Sequence, residues 1–366
     1  MATYIHQRPT WPQFQWDSDQ LLFLFGEVRR LQGQLIGRME LVGFELKNEA
    51  TLEAVTLEII KSSEIEGEVL NVEQVRSSLA RRLGMETGGL IPSNREVDDI
   101  VDLLVDAIEK HDLPLTEERL FDWYASLFPT GRSGMYKIIV GDWRDDATEP
   151  MQVVSGAMSR EKVHFEAPEA KRLAAEMQQF LSWMNSEQQL DSMLKAAIAH
   201  LWFVTIHPFE DGNGRMARAI TDMLLAKSDG ITQRFYSMSA QIRLERKAYY
   251  DILEETQKGD LDITDWLIWF LNCLINALKA SSTIIQKVMQ KHQFWLKRSD
   301  KSLNIRQIKM LNKLLDDFFG KLTTTKWAKM TKCSHDTALR DIQKLIEMNI
   351  LKKEEGGRST NYELVV

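Results

Sequence analysis

The stretch that decides the fold spans residues 207–218 and reads His207-Pro208-Phe209-Glu210-Asp211-Gly212-Asn213-Gly214-Arg215-Met216-Ala217-Arg218. It combines a base, a carboxylate, two glycines around an amide, and two arginines. Glycines let backbone N–H groups approach an anion without obstruction, and a helix that begins there adds its positive end. The stretch therefore predicts a binding site for a polyphosphate and a metal ion, with a proton acceptor beside it.

Four side chains of this stretch each fit one part of that chemistry. His207 follows an apolar helix that Pro208 ends, and an imidazole at a helix end suits a general base near neutral pH. Asp211 is the hard oxygen ligand expected for Mg²⁺ between an α- and a β-phosphate. Arg215 and Arg218 lie three residues apart on one helical face, from which both can bind the β- and γ-phosphates.

The loop between the base and the arginines predicts a nest for phosphate oxygens. Gly212 and Gly214 leave the main-chain amides open, and Asn213 can donate to an α-phosphate as charge develops there. We expect Phe209 to turn inward and anchor the loop, and Glu210 to face solvent.

The spelling of residues 207–218 resembles the signature of Fic-domain proteins, HPFx(D/E)GNGRxxR, with no departure at any fixed position. The resemblance implies a mainly α fold and a protein adenylyltransferase. Such an enzyme moves AMP from ATP, with Mg²⁺, to a Tyr, Thr or Ser hydroxyl of a target protein or of itself, and releases pyrophosphate. His207 would accept the proton of that hydroxyl, and catalysis would consist mainly of positioning and charge stabilisation.

A second motif lies far upstream and reads Ser62-Ser63-Glu64-Ile65-Glu66-Gly67. It resembles the inhibitory motif (S/T)xxxE(G/N) of the same family, and Ser62 and Glu66 are four residues apart on one helical face. The resemblance implies that Glu66 pairs with Arg218 and removes it from the γ-phosphate. An acidic helix end exposed to water is the alternative.

Two further segments fit the family pattern. The runs on either side of residues 155–157 predict a β-hairpin, and the resemblance implies a flap that holds a target segment as an added strand. The residues expected on its nucleotide side are Val153, Val154, Ser155 and Gly156; an ordinary surface hairpin remains open. Arg246 to Tyr250 resembles the segment that closes over adenine, where Tyr249 or Tyr250 either stacks on the base or belongs to the core.

Helical spacing through the rest of the chain predicts a mainly α protein in three parts. Residues 1–93 form an N-terminal helical segment with the inhibitory helix, residues 94–290 the Fic catalytic domain, and residues 301–366 a separate module. Three helices followed by a two-stranded ribbon resemble a winged helix-turn-helix.

Composition and charge restrict the partners. The net charge of −7 argues against a protein built mainly to coat nucleic acid, yet residues 301–366 hold 13 Lys and Arg against 8 Asp and Glu. Cys273 and Cys333 predict free thiols in a reducing compartment, and we expect a cytoplasmic homodimer without a membrane span. Two alternatives remain: a DNA-binding regulator that uses residues 301–366 and carries a Fic body, and a Fic transferase with another nucleotide-linked donor.

Overall fold

Helices make up most of the chain, as the apolar spacing predicted. We describe a computed structural model that covers residues 3–85, 91–145, 151–155, 162–187, 190–315, 318, 320–354 and 360–365. Fourteen α-helices and three two-stranded antiparallel sheets occur in these residues. The mainly α prediction is confirmed.

The chain divides into two compact units. The first comprises Met1–Leu83 and Pro92–Ile285, and the second comprises Gly84–Ile91 and Gln286–Val366. Most of the predicted N-terminal segment and most of the predicted catalytic domain therefore lie in one unit.

The first half of unit one is built from five helices. They are α1 (Ser18–Glu40), α2 (Phe44–Ile65), α3 (Val72–Arg82), α4 (Arg95–Glu109) and α5 (Glu117–Leu127). Asp17, Asn71, Asn94 and Thr116 cap α1, α3, α4 and α5, because each side-chain oxygen accepts a backbone N–H of the first turn. Helix α2 is buried along most of its length.

Six helices complete the main body of unit one. They are α6 (Ala170–Asn185), α7 (Ser192–Ile206), α8 (Asn213–Asp229), α9 (Met238–Leu244), α10 (Arg246–Lys258) and α11 (Thr264–Leu296), whose last turns belong to unit two. Helix α7 is mostly apolar, and 13 of its 15 residues are buried, as expected for a helix in the core. It packs on α8, while α2 packs on both α8 and α9. The loop between α7 and α8 thus connects two helices that pack on each other.

Two hairpins interrupt the helices of unit one. The short pair β1 (Arg132–Ser133) and β2 (Tyr136–Lys137) precedes the pair β3 (Gln152–Ser155) and β4 (Lys162–Glu166). In the second pair Val153 lies opposite Phe165 and Val154 opposite Val163, with an irregularity between the two positions. The predicted hairpin is confirmed, whereas Gly156 lies outside the described residues.

Helix α11 is the one helix among the described residues whose length and hydropathy would suffice for a membrane span. Its Trp266, Leu267, Phe270 and Leu271 are buried in unit one. The Trp266 indole donates to the carbonyl of Ala197 over 2.8 Å. These contacts are those of a core helix.

Unit two contains α12 (Ile305–Leu315), α13 (Thr324–Thr331), α14 (His335–Glu347), β5 (Leu351–Lys353) and β6 (Tyr362–Leu364). Trp327, Ile342 and Leu345 are fully buried at its centre. Ser334 caps α14 by accepting the Thr337 N–H over 3.2 Å. The order of helices and strands is the predicted one, and the winged helix-turn-helix assignment of residues 301–366 stays a prediction.

Candidate active site

His207 ends helix α7 in an unusual backbone conformation. Its φ of 53° and ψ of 57° are left-handed, which non-glycine residues adopt rarely. Its N–H still donates to the Phe203 carbonyl over 2.9 Å, while Pro208 prevents the helix from continuing. Such conformations persist where the surroundings enforce them, and they concentrate at functional sites.

The hydrogen bonding of the His207 ring determines its tautomer. Nδ1 lies 3.2 Å from the Val204 carbonyl, which can only accept, so Nδ1 carries the proton. Although the residue retains some exposure, the protein around its ring lowers its pKa to about 4 from 6.5, first through burial. At neutral pH the imidazole is therefore uncharged, with a lone pair on Nε2.

Arg144 fixes the main chain on which His207 lies. The guanidinium donates to the His207 carbonyl over 2.7 Å and to the Pro168 carbonyl over 2.6 Å. The Arg144 N–H also donates to the Pro208 carbonyl. The side chain is 3% exposed and thus ties the loop to the segment after β4.

Two buried side chains of the loop after His207, Phe209 and Asn213, fix its conformation. Phe209 is buried and stacks on Tyr124, with ring centres 4.0 Å apart and planes 10° apart. The Asn213 amide binds both backbone groups of Phe209, accepting its N–H over 3.0 Å and donating to its carbonyl over 2.8 Å. Asn213 is thus a brace of the loop, with one of its two amide hydrogens already engaged.

The two glycines of the loop have different physical roles. Gly212 has a φ of +69°, and a Cβ there would lie 2.9 Å from the Phe128 ring. At Gly214 a Cβ would lie 2.2 Å from Oε1 of Glu66. Gly214 therefore allows a carboxylate to approach the first turn of α8, where backbone N–H groups have no partner within the helix.

The two acidic residues of the loop occupy different surroundings. Glu210 is half-buried and accepts the backbone N–H of Ile139, so the expectation that it faces solvent is wrong. Asp211 is exposed; one of its oxygens accepts the Gly212 N–H over 2.6 Å and the other binds the Ser133 hydroxyl. An exposed single carboxylate fits Mg²⁺, which takes one or two carboxylates together with phosphate oxygens and water.

Arg218 is held by both ends of the upstream motif. Its Nη2 lies 2.8 Å from Oε1 of Glu66 and 3.0 Å from the Ser62 carbonyl, and its Nε donates to the Ser62 hydroxyl over 2.9 Å. Arg218 is 2% exposed, and its Nη1 has no hydrogen-bond partner. Since Nη1 lies 3.1 Å from the position of a Cβ on Gly214, this buried donor is next to the α8 N-terminus.

Arg215 holds a second carboxylate that the sequence did not single out. Its Nη1 lies 2.5 Å from Oε2 of Glu68, and its guanidinium carbon lies 4.9 Å from the centre of the Phe128 ring. Burial raises the pKa of Glu68, although Arg215 acts in the opposite direction.

The end of α2 explains how two carboxylates reach neighbouring arginines. Gly67 has a φ of 87°, and its N–H donates to the Glu64 carbonyl over 3.2 Å. The Glu68 N–H donates to the Ser63 carbonyl over 3.0 Å, which completes a Schellman cap. This cap reverses the chain, so that Glu66 and Glu68 both lie against the first turns of α8.

The two predicted tyrosines lie in different environments. Tyr249 is 2% exposed and lies 2.8 Å from Nε2 of His200, so its burial contradicts stacking on a ligand. Tyr250 is 37% exposed, with the Arg246 guanidinium 5.2 Å from its ring centre. Arg246 in turn donates to the Ile65 carbonyl over 2.9 Å, which places Tyr250 near the end of α2.

The described part of the flap is mostly solvent-facing. Val154 is 44% exposed, Ser155 is exposed and Val153 is half-buried, while Phe165 anchors β4 in the core. Both strands of this pair keep a free edge among the described residues. The geometry is compatible with strand addition along either edge.

Two family models match the chain. One, the Fic/DOC family, matches residues 114–225, and the other, a domain of unknown function (DUF4172), matches residues 4–85. A crystal structure of a Fic family protein from Desulfovibrio desulfuricans G20 superposes with a TM-score of 0.53 at 19% identity, covering 94% of this chain and 96% of that one. This likeness shows a common fold.

Curated relatives match part of their length only. The protein adenylyltransferase Fic of Drosophila mojavensis is 28% identical over 217 residues, which is 58% of this chain and 38% of the relative. That of Aedes aegypti is 28% identical over 218 residues, 58% of this chain and 39% of the relative. The chain thus spans about two fifths of the length of these relatives. Residues 114–225 match the Fic/DOC family, in agreement with the family that the signature at residues 207–218 predicted.

Proposed function

We propose that this protein transfers AMP from ATP to a hydroxyl group of a protein, with release of pyrophosphate. One observation carries the proposal: two arginines on the first turns of α8 already bind carboxylates, beside a neutral His207. Carboxylates occupy the places where phosphate oxygens would bind, since guanidinium recognises both groups by the same geometry. The relatives named protein adenylyltransferase support the choice of donor.

In this proposal Nε2 of His207 takes the proton of the acceptor hydroxyl. The hydroxyl oxygen bonds to the α-phosphorus, and the bond from that phosphorus to the bridging oxygen of pyrophosphate breaks. The hydrogen bond from Nδ1 to Val204 keeps Nε2 available throughout. Arg144 holds the loop and acts only through the position of His207.

The phosphates would be bound by groups that the fold already directs toward them. The N–H groups of the first turn of α8 and the unpaired Nη1 of Arg218 supply donors. Asp211 would hold Mg²⁺, which neutralises phosphate charge when bound. The exposed ring of Tyr250 is the group that would stack on adenine.

The same contacts imply autoinhibition by two carboxylates. Glu66 competes with a phosphate for Arg218, as the upstream motif predicted, and Glu68 competes for Arg215. Both come from one helix end, so a rearrangement there would release both arginines together. The flap strands would hold the target segment by backbone hydrogen bonds.

Transfer of label from α-labelled ATP with Mg²⁺ tests this function. We expect the Glu66→Gly variant to label itself or an added protein more than wild type does, and the Glu66→Gly/His207→Ala variant to lose nearly all labelling. The same assay with labelled CTP, GTP and UTP tests the alternative donors. Equal labelling with and without His207, or transfer from another nucleotide only, would contradict the proposal.

A second proposal concerns nucleic acid at unit two. Helix α14 buries Ala338, Ile342 and Leu345, and exposes Arg340 and Lys344 on its other side. A recognition helix lies in the major groove with its exposed side toward the DNA, and basic side chains on that side can bind phosphates. A gel shift with duplex DNA should weaken steeply with salt and with Arg340→Ala; absence of a shift at low salt would contradict this second proposal.

A further inference from the structure

A serine, a histidine and a glutamate lie in a row at the flap, and none of the three takes part in the transfer proposed above. Oγ of Ser155 on β3 is 2.6 Å from Nε2 of His164 on β4. Nδ1 of the same ring is 2.5 Å from Oε2 of Glu254 on α10. Ser155 is exposed, while the His164 and Glu254 side chains are 26% and 24% exposed.

The Glu254 carboxylate determines which ring nitrogen of His164 carries the proton. A hydrogen bond from Lys258, together with one from His164, lowers the pKa of Glu254 to about 2. The ionised carboxylate can only accept, so Nδ1 of His164 carries a proton and donates it. In the neutral ring Nε2 then accepts from the Ser155 hydroxyl, which therefore faces a base along its O–H bond.

This order of groups is the one that activates serine nucleophiles on unrelated folds, and it is recognised by geometry. The hydrogen bond between His164 and Glu254 would by itself be enough to attach the flap to α10. In addition, the Ser155 hydroxyl lies against the opposite ring nitrogen while the residue stays exposed to solvent.

We propose that Ser155 is a modification site, where an activated hydroxyl accepts a phosphoryl-type group from a donor with a good leaving group. In this step Oγ bonds to phosphorus, the bond from phosphorus to the leaving group breaks, and the proton moves to Nε2 of His164. The leaving group departs as an anion. Glu254 is a positioning residue that holds the ring and stabilises the imidazolium.

A fluorophosphonate probe tests the reactivity directly on the full chain, with fluoride as leaving group and peptide mapping as readout. We expect wild type to be labelled at Ser155 and Ser155→Ala to lose this label. Ser299 is the matched control, because it is an exposed serine whose hydroxyl donates to the Leu296 carbonyl and faces no imidazole. No labelling of Ser155 above that of Ser299 would overturn the proposal.

Two variants separate activation from simple exposure. His164→Gly should slow labelling about a hundredfold, in keeping with loss of a general base, and added imidazole should restore part of the rate. Glu254→Gln should slow it by less. An unchanged rate in His164→Gly, or a lost rate that imidazole does not restore while thermal unfolding is unchanged, would contradict activation by His164.

Discussion

Arg218 pairs with Glu66, and Arg215 pairs with Glu68. The two ion pairs differ in the number of hydrogen bonds that hold each arginine and in the exposure of each carboxylate. Arg218 is fixed by two hydrogen bonds to Ser62 of α2 and one to Glu66, the residue that follows α2, and the Glu66 side chain is 29% exposed. Arg215 makes one hydrogen bond to Glu68, whose side chain is 43% exposed. If both carboxylates inhibit as proposed, the inhibition is graded, because the pair with more hydrogen bonds and the less exposed carboxylate resists an anion more.

Replacement of Glu66 should change the activity more than replacement of Glu68. A hydrogen bond between charged groups contributes roughly 1.5–3 kcal/mol, so we expect Glu66→Gln to raise AMP transfer about 10- to 100-fold. Initial rates with labelled ATP measure this. Glu64→Gln is the matched control because Glu64 pairs with Lys61 on the same helix turn. Equal rates in the two variants would contradict the role of Glu66.

Glu68 should give a smaller effect in the same direction. Since an ion pair whose carboxylate is partly open to water contributes less, Glu68→Gln should tighten ATP binding about two- to fivefold. Titration calorimetry with ATP and Mg²⁺ measures the affinity, again against Glu64→Gln. Weaker binding in Glu68→Gln would mean that this carboxylate assists the nucleotide and does not compete with it.

Acid should reduce the difference that Glu68 makes. Because burial raises the pKa of this carboxyl, it takes up a proton at a higher pH than an ordinary glutamate and then no longer pairs with Arg215 as an anion. The ratio of ATP affinities of Glu68→Gln and wild type should therefore approach one as the pH falls from 7.5 toward 5. A ratio that grows over this range would contradict the assignment.

The smallest expected effect is the change in kcat/KM that titration of His207 causes across neutral pH. Its pKa is lowered to about 4, so the ring is neutral from pH 8 down to about pH 5 and can act as a base throughout. For the Glu66→Gln variant, we expect kcat/KM for transfer to a protein acceptor to show no fall near pH 6.5 from protonation of His207. Loss of Glu66 removes a charge that raises the His207 pKa, which strengthens this expectation. Circular dichroism at each pH is the control for folding.

The sequence predicted those parts of the site that belong to the two recognised motifs. Phe209 turns inward, and Glu66 meets Arg218, as the two motifs indicated. The inward turn of Phe209 is expected from the loop sequence itself, whereas Glu66 and Arg218 are 152 residues apart and their pairing is expected from the resemblance to the family motif.

Other parts of the site depend on contacts between distant segments that no recognised motif predicts. Glu68 differs from neighbouring glutamates only because the cap at Gly67 reverses the chain toward Arg215. Arg144 lies in a glycine-rich stretch, and its carbonyl partners at His207 and Pro168 become neighbours only after folding. The burial of Tyr249 likewise follows from His200 on another helix.

The position of the nucleotide is the most direct test of the account. A crystal structure of Glu66→Gly with Mg²⁺ and a non-hydrolysable ATP analogue measures it. We predict that the α-phosphorus lies beside Nε2 of His207, with the outer phosphates on Arg215 and Arg218. A triphosphate bound elsewhere, or one whose α-phosphorus lies away from that ring, would contradict the account.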